Sequence, residues 1–309
     1  MTQPTFPDFF LIGAPKCGTT SLFSWLQRHP DSYLPMKEPN FFSPDVLDVR
    51  CHAGAAQSEA DYLARLCPPE ASGKLTGEAT PKYLYSDMAR ARLAQEAERV
   101  RLIVLLRNPI DMAAAMHAQN VRQGHEPDPD FARAWARGPA VPDDKMTDYR
   151  FWGRPGVQLE RYMNLFPRDR ILVMLLEEEM RSDPAAAHAH ALRFLGLSPQ
   201  LLDSYTAENS RKSYRSPRLQ GLSRRARRGT YAALARLGFK RQGTGILRVF
   251  DRLNGSRPGR TELAPTLRAA VAVELAEDAR RIAACLGRDR LPWDEFDWTA
   301  SSSVSTIGD

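Results

Sequence analysis

A short segment near the N-terminus, LIGAPKCGTTSL (residues 11–22), combines a lysine, a glycine and three hydroxyl side chains. An apolar run precedes these residues, and a pattern typical of a helix follows them. The first turn of a helix carries unpaired backbone N–H groups and the positive end of the helix dipole, so it attracts anions. Lys16 adds a full positive charge, and Gly18 allows the backbone to approach a ligand closely. The segment therefore predicts a phosphate or sulfate site.

Other nucleotide-binding patterns fit this turn less well. The Walker A pattern, G-x-x-x-x-G-K-[ST], places its lysine directly after the second glycine. Here Lys16 comes two positions before Gly18. The dinucleotide pattern G-x-G-x-x-G does not occur in this turn. A plain strand-to-helix turn with an N-cap threonine stays open as the structural alternative.

The elements that position this turn follow from three apolar runs, which predict buried strands. The runs are FFLIGA (9–14), RLIVLLRNP (101–109) and RILVMLLEEEM (170–180). Helical patterns lie at residues 19–29, 109–121, 156–169, 183–197 and 264–287. This alternation predicts an α/β fold with a central parallel sheet and helices on both faces. Such sheets bind ligands beyond the carboxyl ends of their strands, so we expect Lys16 and Arg107, which each follow a strand, to share a site.

The composition is that of a folded protein with a mild excess of positive charge. The 309 residues are 43% hydrophobic and carry a formal charge of +6, with a pI near 9.2. This charge agrees with an anionic ligand and equally with a basic, arginine-rich proteome. A basic, partly helical segment is expected at about 208–260, and a disordered tail at 299–309.

The cysteines and the N-terminus bear on the location of the protein. The four cysteines form no CxxC pair and no zinc-spaced cluster with histidine. Free thiols are the expected state in a reducing cytoplasm. The N-terminal segment MTQPTFPDFF lacks the basic and apolar regions of a signal peptide, and no apolar stretch approaches ~18 residues. We therefore expect a cytoplasmic protein with no membrane span.

Five segments, in order along the chain, carry a resemblance to one family. They are PKCGTTSL (15–22), KEPNFF (37–42), GEATPKYLY (77–85), RNPIDMAAAMHAQN (107–120) and LLEEEMRSDP with FLGL (within 175–197). These segments resemble the sulfotransferases that use 3′-phosphoadenosine 5′-phosphosulfate (PAPS), in particular the bacterial, carbohydrate or heparan-type branch. The resemblance covers most of residues 9–197, with a weaker match at CLGRDRLPW (285–293). It implies a P-loop-like, three-layer α/β/α fold in a single domain over residues 1–298.

The resemblance also implies roles for residues at the predicted anion site. Lys16 would stabilise the bridging oxygen of the leaving nucleotide, where negative charge develops during in-line transfer. Arg107 would bind the 3′-phosphate of PAPS, because a planar guanidinium matches phosphate oxygens. The remaining donor-binding residues, placed at the 5′-phosphate, are Cys17, Gly18, Thr19, Thr20 and Ser21.

A carboxylate in the segment KEPNFF is the predicted general base. Glu38 can accept the proton that an acceptor hydroxyl loses as the new S–O bond forms. Pro39 is expected to hold Glu38 in an extended backbone, off any helix. His29, His117 and His125 remain alternative bases. The predicted substrate-side residues are Lys37, Asn40, Phe41, Phe42, Glu78 and Lys82.

Three positions depart from the family pattern, one of them Pro155, where the family often has a tyrosine. The family usually has a serine eight residues after Arg107, where this chain has Ala115. It often has a lysine where this chain has Ala79, and Lys82 is expected to reach the same region. The predicted substitutes at the 3′-phosphate are Arg215 and Arg218 of the basic segment. A solvated helix face, or a site for an anionic acceptor, stays open as the alternative role of these arginines.

The residues and the resemblance together predict an O-sulfotransferase. It would move a sulfuryl group from PAPS to a hydroxyl of a small-molecule, sugar or natural-product acceptor and release adenosine 3′,5′-bisphosphate (PAP). Lys16 and the helix dipole would do the work that magnesium does in kinases, so no metal is expected. The arginines of the basic segment have few aromatic residues between them, so no nucleic-acid partner is expected. Two alternatives stay open, a non-catalytic or degenerate nucleotide-binding protein and an ATP-dependent kinase.

Overall fold

A five-stranded sheet, parallel at every strand pair, forms the centre of the protein. In chain order its strands are β1 (Phe9–Gly13), β2 (Ser32–Tyr33), β3 (Leu75–Ala79), β4 (Arg101–Leu106) and β5 (Ile171–Leu175). Across the sheet their order is β2-β3-β1-β4-β5. The structure, a computed structural model, describes residues 6–47, 55–205, 213–214, 255–256 and 263–299. The predicted α/β fold with a central parallel sheet is confirmed.

Helices flank this sheet. Those in the described ranges are α1 (Thr19–Gln27), α2 (Glu59–Leu66), α3 (Asp87–Ala94), α4 (Pro109–Gln123), α5 (Phe131–Arg137), α6 (Tyr149–Trp152), α7 (Pro155–Met163), α8 (Pro184–Leu195) and α9 (Pro265–Cys285). None of the helices described has the length and apolar character needed to cross a membrane. A short antiparallel pair, β6 (Ser213–Tyr214) with β7 (Gly255–Ser256), falls within the predicted basic segment. The rest of residues 208–260 and the tail from residue 300 lie outside the described residues.

The two central strands position the predicted anion site. β1 pairs with β4 in parallel, and all but Arg101 of the residues in these strands are buried. Each strand is followed within a few residues by a helix, α1 after β1 and α4 after β4. Both connections therefore lie at the same carboxyl edge of the sheet. The Nη1 of Arg107 is 3.3 Å from the carbonyl oxygen of Lys16, so the expectation that these residues share one edge is confirmed.

β3, in the interior of the sheet, is a strand that the apolar pattern did not indicate. Its sequence, LTGEA, contains a glycine and a glutamate, which are uncommon in strands. Packing explains both residues. A Cβ at Gly77 would lie 2.4 Å from the ring of Phe9, so only glycine fits beside that ring. The Glu78 side chain is fully buried and accepts a hydrogen bond from the hydroxyl of Tyr62 at 2.7 Å.

The third predicted strand, residues 170–180, is wrong in its length. β5 ends at Leu175, and Leu176–Met180 form a π-helical turn. The side chains of Glu177, Glu178 and Glu179 go to separate partners, namely the backbone N–H of Asn108, the guanidinium of Arg288 and the backbone N–H of Leu175. A buried strand would place at least one of these carboxylates in an apolar layer, which is costly, and the turn avoids this.

A buried carboxylate attaches the long helix α9 to α7. The two carboxylate oxygens of Asp278 accept the backbone N–H groups of Gly156 at 2.7 Å and Val157 at 2.9 Å. These N–H groups belong to the first turn of α7, so a residue of α9 caps α7. A Cβ at Gly156 would lie 2.4 Å from the carbonyl oxygen of Asp278. This close contact fixes α9, which also carries Arg268, against the rest of the protein.

Candidate active site

The turn between β1 and α1 contains two residues with left-handed backbone. Lys16 has a φ of 65°, and Gly18, the N-cap of α1, has a φ of 91°. The N-cap is therefore a glycine, so the plain turn with an N-cap threonine is excluded. The Gly18 carbonyl accepts the N–H groups of Ser21 and Leu22, and no described side chain caps α1. The start of α1 thus has the unpaired N–H groups and the helix dipole that an anion site requires.

The other predicted donor-binding residues of this turn differ in exposure. Cys17 is fully buried, and its thiol donates to the carbonyl oxygen of Pro15 at 3.3 Å. Burial raises the pKa of this thiol to about 12, so its side chain is a neutral part of the core. The hydroxyl residues Thr19 and Ser21 are buried, and Thr20 is half-buried. At Cys17, only the backbone remains available to a ligand.

The side chain of Lys16 reaches across the site to α4. Its Nζ donates to Oε1 of Gln119 at 2.8 Å. Gln119 lies four residues after Ala115 and eight after Asp111, so these three residues lie along one face of α4. Sequence reasoning missed Gln119, because an isolated glutamine on a helix gives no signal until the helix is placed beside the lysine.

Arg107 lies at the end of β4 and is 5% exposed. Its Nη1 donates to the carbonyl oxygen of Lys16 at 3.3 Å, and its Nη2 donates to Oδ2 of Asp111 at 3.2 Å. Its Nε is buried, makes no hydrogen bond within the described part of the chain, and lies 4.0 Å from Oε1 of Glu177. The predicted 3′-phosphate residue is therefore at the site and is already engaged by protein groups.

A second arginine, not predicted from the sequence, completes this cluster. Nη1 of Arg268, on α9, lies 2.8 Å from Oδ1 of Asp111. Nε of Arg268 donates to Oε1 of Glu295 at 2.6 Å. Oε2 of Glu295 accepts from Nδ2 of Asn108, the N-cap of α4, at 3.1 Å. Alternating charges thus connect the C-terminal part of the described chain to the start of α4.

The opposite side of the site is the segment Lys37–Phe42, which follows β2 in the chain and lies beside the end of β3. Lys37 makes a parallel bridge with Ala79, and the N–H of Glu38 donates to the carbonyl oxygen of Ala79 at 2.8 Å. Nδ2 of Asn40 donates to the carbonyl oxygen of Glu38 at 2.6 Å. Glu38 has a φ of 57°, so the predicted extended backbone is wrong. These two hydrogen bonds outweigh the local preference that Pro39 imposes.

Three lysines set the electrostatic environment of Glu38. Lys37 Nζ pairs with its Oε1, and Lys82 Nζ lies 3.8 Å from its Oε2, so Lys82 reaches the expected region. Burial raises the pKa of this carboxyl, but the charges of Lys37, Lys82 and Lys16 outweigh burial and hold the pKa below its usual value. Glu38 is therefore ionised at neutral pH, and its side chain is 41% exposed. It has the charge and the access that a general base needs.

Buried side chains support the Glu38 segment from below. Phe41 stacks on the ring of Tyr62 with centroids 4.6 Å apart, and Phe42 packs against Tyr62 at 5.0 Å. The hydroxyl of Tyr62 in turn donates to Glu78. Burial raises the pKa of Glu78 to about 7. Glu78 and Asn40 are both buried and support the segment, and their place on the substrate side stays a prediction.

Two of the three histidines that were alternative bases are buried and contact backbone carbonyl oxygens. His29 is buried, and its Nε2 lies 3.0 Å from the carbonyl oxygen of Ser198. His117 is buried, and its Nε2 lies 3.0 Å from the carbonyl oxygen of Asp128. His125 is exposed and lies just beyond the end of α4. Glu38 therefore remains the best-placed candidate.

The remaining predicted site features fall partly outside the described chain. Arg215 and Arg218 lie outside the described residues. Within the described ranges, no group of three or more His, Cys, Asp or Glu residues is arranged to hold a metal ion. The described site therefore consists of an anion-binding turn with Lys16 on one side and an ionised carboxylate, Glu38, on the other.

A parallel α/β sheet with an anion-binding turn at its carboxyl edge defines a class of proteins that bind nucleotides or related anions. A model of the sulfotransferase domain matches residues 6–231. This match covers more than half of the chain, and the chain therefore belongs to the sulfotransferase family. The family predicted from the five sequence segments is confirmed.

Individual relatives agree with this assignment. The chain is 28% identical over 209 residues to heparan sulfate glucosamine 3-O-sulfotransferase 6 of Homo sapiens, covering 68% of this chain and 58% of that protein. It is 28% identical over 200 residues to the bifunctional heparan sulfate N-deacetylase/N-sulfotransferase 4 of Mus musculus, covering 62% of this chain and 22% of that protein. The chain thus spans less than two thirds of the length of these relatives.

A solved structure shares the fold. A crystal structure of a sulfotransferase from Alicyclobacillus acidocaldarius superposes with a TM-score of 0.63 at 24% identity. The superposition covers 92% of this chain and 97% of that chain.

Proposed function

We propose that this protein transfers a sulfuryl group from PAPS to a hydroxyl group of a carbohydrate or another small acceptor. The observation that carries the proposal is the pairing of a cation and a base at one sheet edge. Lys16 follows β1, and Glu38 lies beside the end of the neighbouring strand β3, where its backbone N–H donates to the carbonyl oxygen of Ala79. A leaving phosphate and an attacking hydroxyl need these two groups on opposite sides of the sulfur atom.

The donor side of the proposal rests on the opening turn. The N-terminus of α1, with Gly18 at its N-cap, would hold the 5′-phosphate of PAPS through backbone N–H groups. Lys16 would stabilise the bridging oxygen as the S–O bond to the phosphate breaks. Arg107, the predicted contact to the 3′-phosphate, lies at the same edge of the sheet. The contacts of Arg215 and Arg218 to that phosphate stay predictions. The chain's own cations supply the stabilising charge, so transfer without added metal is part of the proposal.

The acceptor side of the proposal rests on Glu38. The acceptor hydroxyl would give its proton to the Glu38 carboxylate while its oxygen forms the new bond to sulfur. Lys37 and Lys82 flank this carboxylate and would face the same acceptor. Two relatives have names that specify heparan sulfate, which supports a carbohydrate acceptor. A natural-product acceptor and a cytoplasmic location stay predictions.

A direct transfer assay tests this proposal. The purified protein would be incubated with sulfate-labelled PAPS and, separately, an N-sulfated heparosan polysaccharide, a glucosamine oligosaccharide and a small hydroxylated aromatic compound. We expect label in at least the carbohydrate product, without added metal. Titration calorimetry with PAP, AMP and ATP, with and without Mg²⁺, would run beside it. We expect PAP to bind most tightly, with no effect of the metal.

The possible results separate the alternatives. PAP binding without transfer to any acceptor would favour a degenerate, nucleotide-binding protein. The replacement of the family's serine by Ala115 and the engagement of Arg107 by Asp111 are the observations that favour this second reading. Tight, magnesium-dependent ATP binding would instead favour a kinase. Absence of binding by all three nucleotides would contradict all three nucleotide-based functions.

A further inference from the structure

One face of α4 is directed at the proposed catalytic lysine. Asp111, Ala115 and Gln119 follow one another at intervals of four residues. Gln119 holds the ammonium of Lys16 at 2.8 Å. Asp111 holds Arg107, whose Nη1 bonds to the Lys16 carbonyl. Gln119 of α4 therefore binds the side chain of Lys16, and Arg107, two residues before α4, binds its backbone.

Protein groups engage both terminal nitrogens of Arg107, whereas its buried Nε makes no hydrogen bond within the described residues. A phosphate clamp presents two N–H groups of a guanidinium side by side to the ligand. Here one terminal nitrogen donates to the carbonyl oxygen of Lys16, and the other donates to Asp111. The side chain is 5% exposed, and two acidic residues, Asp111 and Glu177, lie within 4.0 Å of its nitrogens. An approaching phosphate would meet these carboxylates as well as the guanidinium.

The position of Asp111 is fixed in turn from α9. Its Oδ1 is bound by Arg268, and Arg268 is bound by Glu295. Burial raises the pKa of Asp111, but its hydrogen bonds and the charges of both arginines outweigh burial and keep it ionised. The contacts therefore run without a break from α9 through Asp111 and Arg107 to the backbone of Lys16.

The backbone of Lys16 needs such support. A φ of 65° is unfavourable for a residue with a side chain, and persists only where the surroundings impose it. The carbonyl oxygen of Lys16 is the atom that Arg107 binds. A hydrogen bond at this oxygen restrains the peptide plane that follows Lys16 and therefore the direction in which its side chain leaves the turn.

We infer that Arg107, oriented by Asp111 and Arg268, is also a positioning residue that fixes the backbone of Lys16. This inference rests on the proposed function of Lys16 and gives the arginine at the end of β4 a second task beside the predicted 3′-phosphate contact. Ala115 agrees with this inference. It lies between Asp111 and Gln119 on α4, and an alanine side chain has no polar atom that could bind a phosphate.

Hydrogen–deuterium exchange of the unliganded full chain tests the inference without any substrate. The measurement follows the peptide covering residues 13–22 in wild type, Arg107→Ala and Asp111→Asn. We expect exchange in this peptide to be at least about fivefold faster in both variants, because a lost restraint lowers the local opening free energy. Gln119→Ala is the matched control, since Gln119 contacts the ammonium and not the backbone of Lys16, and it should leave this exchange rate unchanged.

Nucleotide affinity provides the second readout. AMP lacks the 3′-phosphate, so a residue that only binds that phosphate would not affect AMP. If Arg107 fixes the turn, Arg107→Ala should weaken both PAP and AMP, each by about tenfold, which is the scale of one lost charged hydrogen bond. Any loss of PAP affinity beyond the loss of AMP affinity measures the direct contact of Arg107 with the 3′-phosphate.

Each outcome decides the matter. Wild-type exchange in both variants, or a loss of PAP affinity with AMP affinity unchanged, would overturn the inference and leave Arg107 as a 3′-phosphate clamp only. If Arg107→Ala does not fold, Asp111→Asn carries the exchange test alone. A wild-type protein that binds neither nucleotide would contradict the proposed function, whereas the exchange result on unliganded protein would still decide the role of Arg107.

Discussion

Two loops carry the proposed catalytic residues, and the protein holds them by different means. The loop with Lys16 is held by charged and amide side chains of Arg107 and α4, and through them by α9. The loop with Glu38 is held by the carbonyl oxygen of Ala79 and by the amide of Asn40. In both loops the proposed catalytic residue has a positive φ, which the surrounding structure must impose.

The difference corresponds to what each side of the site must do. On the proposed donor side, a network of buried and half-buried charges fixes Lys16 in one place. On the proposed acceptor side, Glu38 is more exposed and is tied mainly through its backbone. Its two nearest ion pairs are partly exposed, and such pairs contribute little to stability. We interpret the Lys16 side as the rigid half of the site and the Glu38 side as the adaptable half.

The largest effect is expected on the rigid side, at Lys16 itself. Lys16→Ala should lower the rate of sulfuryl transfer at saturating PAPS by about 1000-fold, because the charge that develops on the leaving oxygen loses its stabilising cation. Transfer of labelled sulfate measures this change. Lys74→Ala is the matched control, since Lys74 is exposed and precedes β3 at the opposite edge of the sheet. A loss of less than about tenfold in Lys16→Ala would contradict its role as the main stabilising group.

A smaller effect is expected on the adaptable side. Glu38→Gln should lower the transfer rate by about 100-fold, because the amide cannot accept the acceptor's proton. PAP affinity, measured by calorimetry, should stay within about twofold of wild type, since Glu38 would not contact the donor. Glu70→Gln, on the exposed turn before β3, serves as the control. If PAP affinity falls in proportion to the rate, Glu38 acts on the donor side. That result would contradict the division of the site into a donor half at Lys16 and an acceptor half at Glu38.

The backbone support of Glu38 can be separated from its side chain. Asn40→Gly removes the amide bound to the Glu38 carbonyl but keeps the freedom to adopt the φ of 53° found at this position. We expect a loss of about tenfold in transfer rate, on the scale of one hydrogen bond. Asn40→Ala should lose more, because alanine also disfavours this backbone. Equal rates in the two variants would show that the backbone conformation at Asn40 does not limit the placement of Glu38.

The smallest expected effect is a shift in pH dependence. The charge of Lys82 helps to lower the pKa of Glu38, so Lys82→Met should raise that pKa. Because the base acts when ionised, the acidic limb of the kcat/KM profile should move to higher pH, by less than about one unit. Lys74→Met should leave the profile unchanged. A shift of the limb to lower pH would exclude Glu38 as the titrating base.

The local sequence pattern predicted those strands and helices that are strongly apolar or have clear end signals. The predicted runs at 9–14 and 101–109 contain β1 and β4, and the predicted helices at 109–121 and 264–287 correspond to α4 and α9. The same reasoning missed β3, where Gly77 and Glu78 are compatible with a strand only because Phe9 and Tyr62 pack against them. It also extended β5 through Glu177–Glu179, whose partners are provided by other parts of the chain.

The sequence by itself determined that Lys16 and Arg107 lie at one edge of the sheet. Lys16 and Arg107 each follow a buried strand, and parallel strands end at one edge, so their proximity follows from local pattern alone. Only the tertiary structure decided how they are used. Arg268 is 157 positions from Asp111, and Gln119 is 103 positions from Lys16, so no local pattern indicates that these side chains bind one another. The positive φ of Glu38 likewise depends on hydrogen bonds to a distant strand, which outweigh the local preference that the following proline sets.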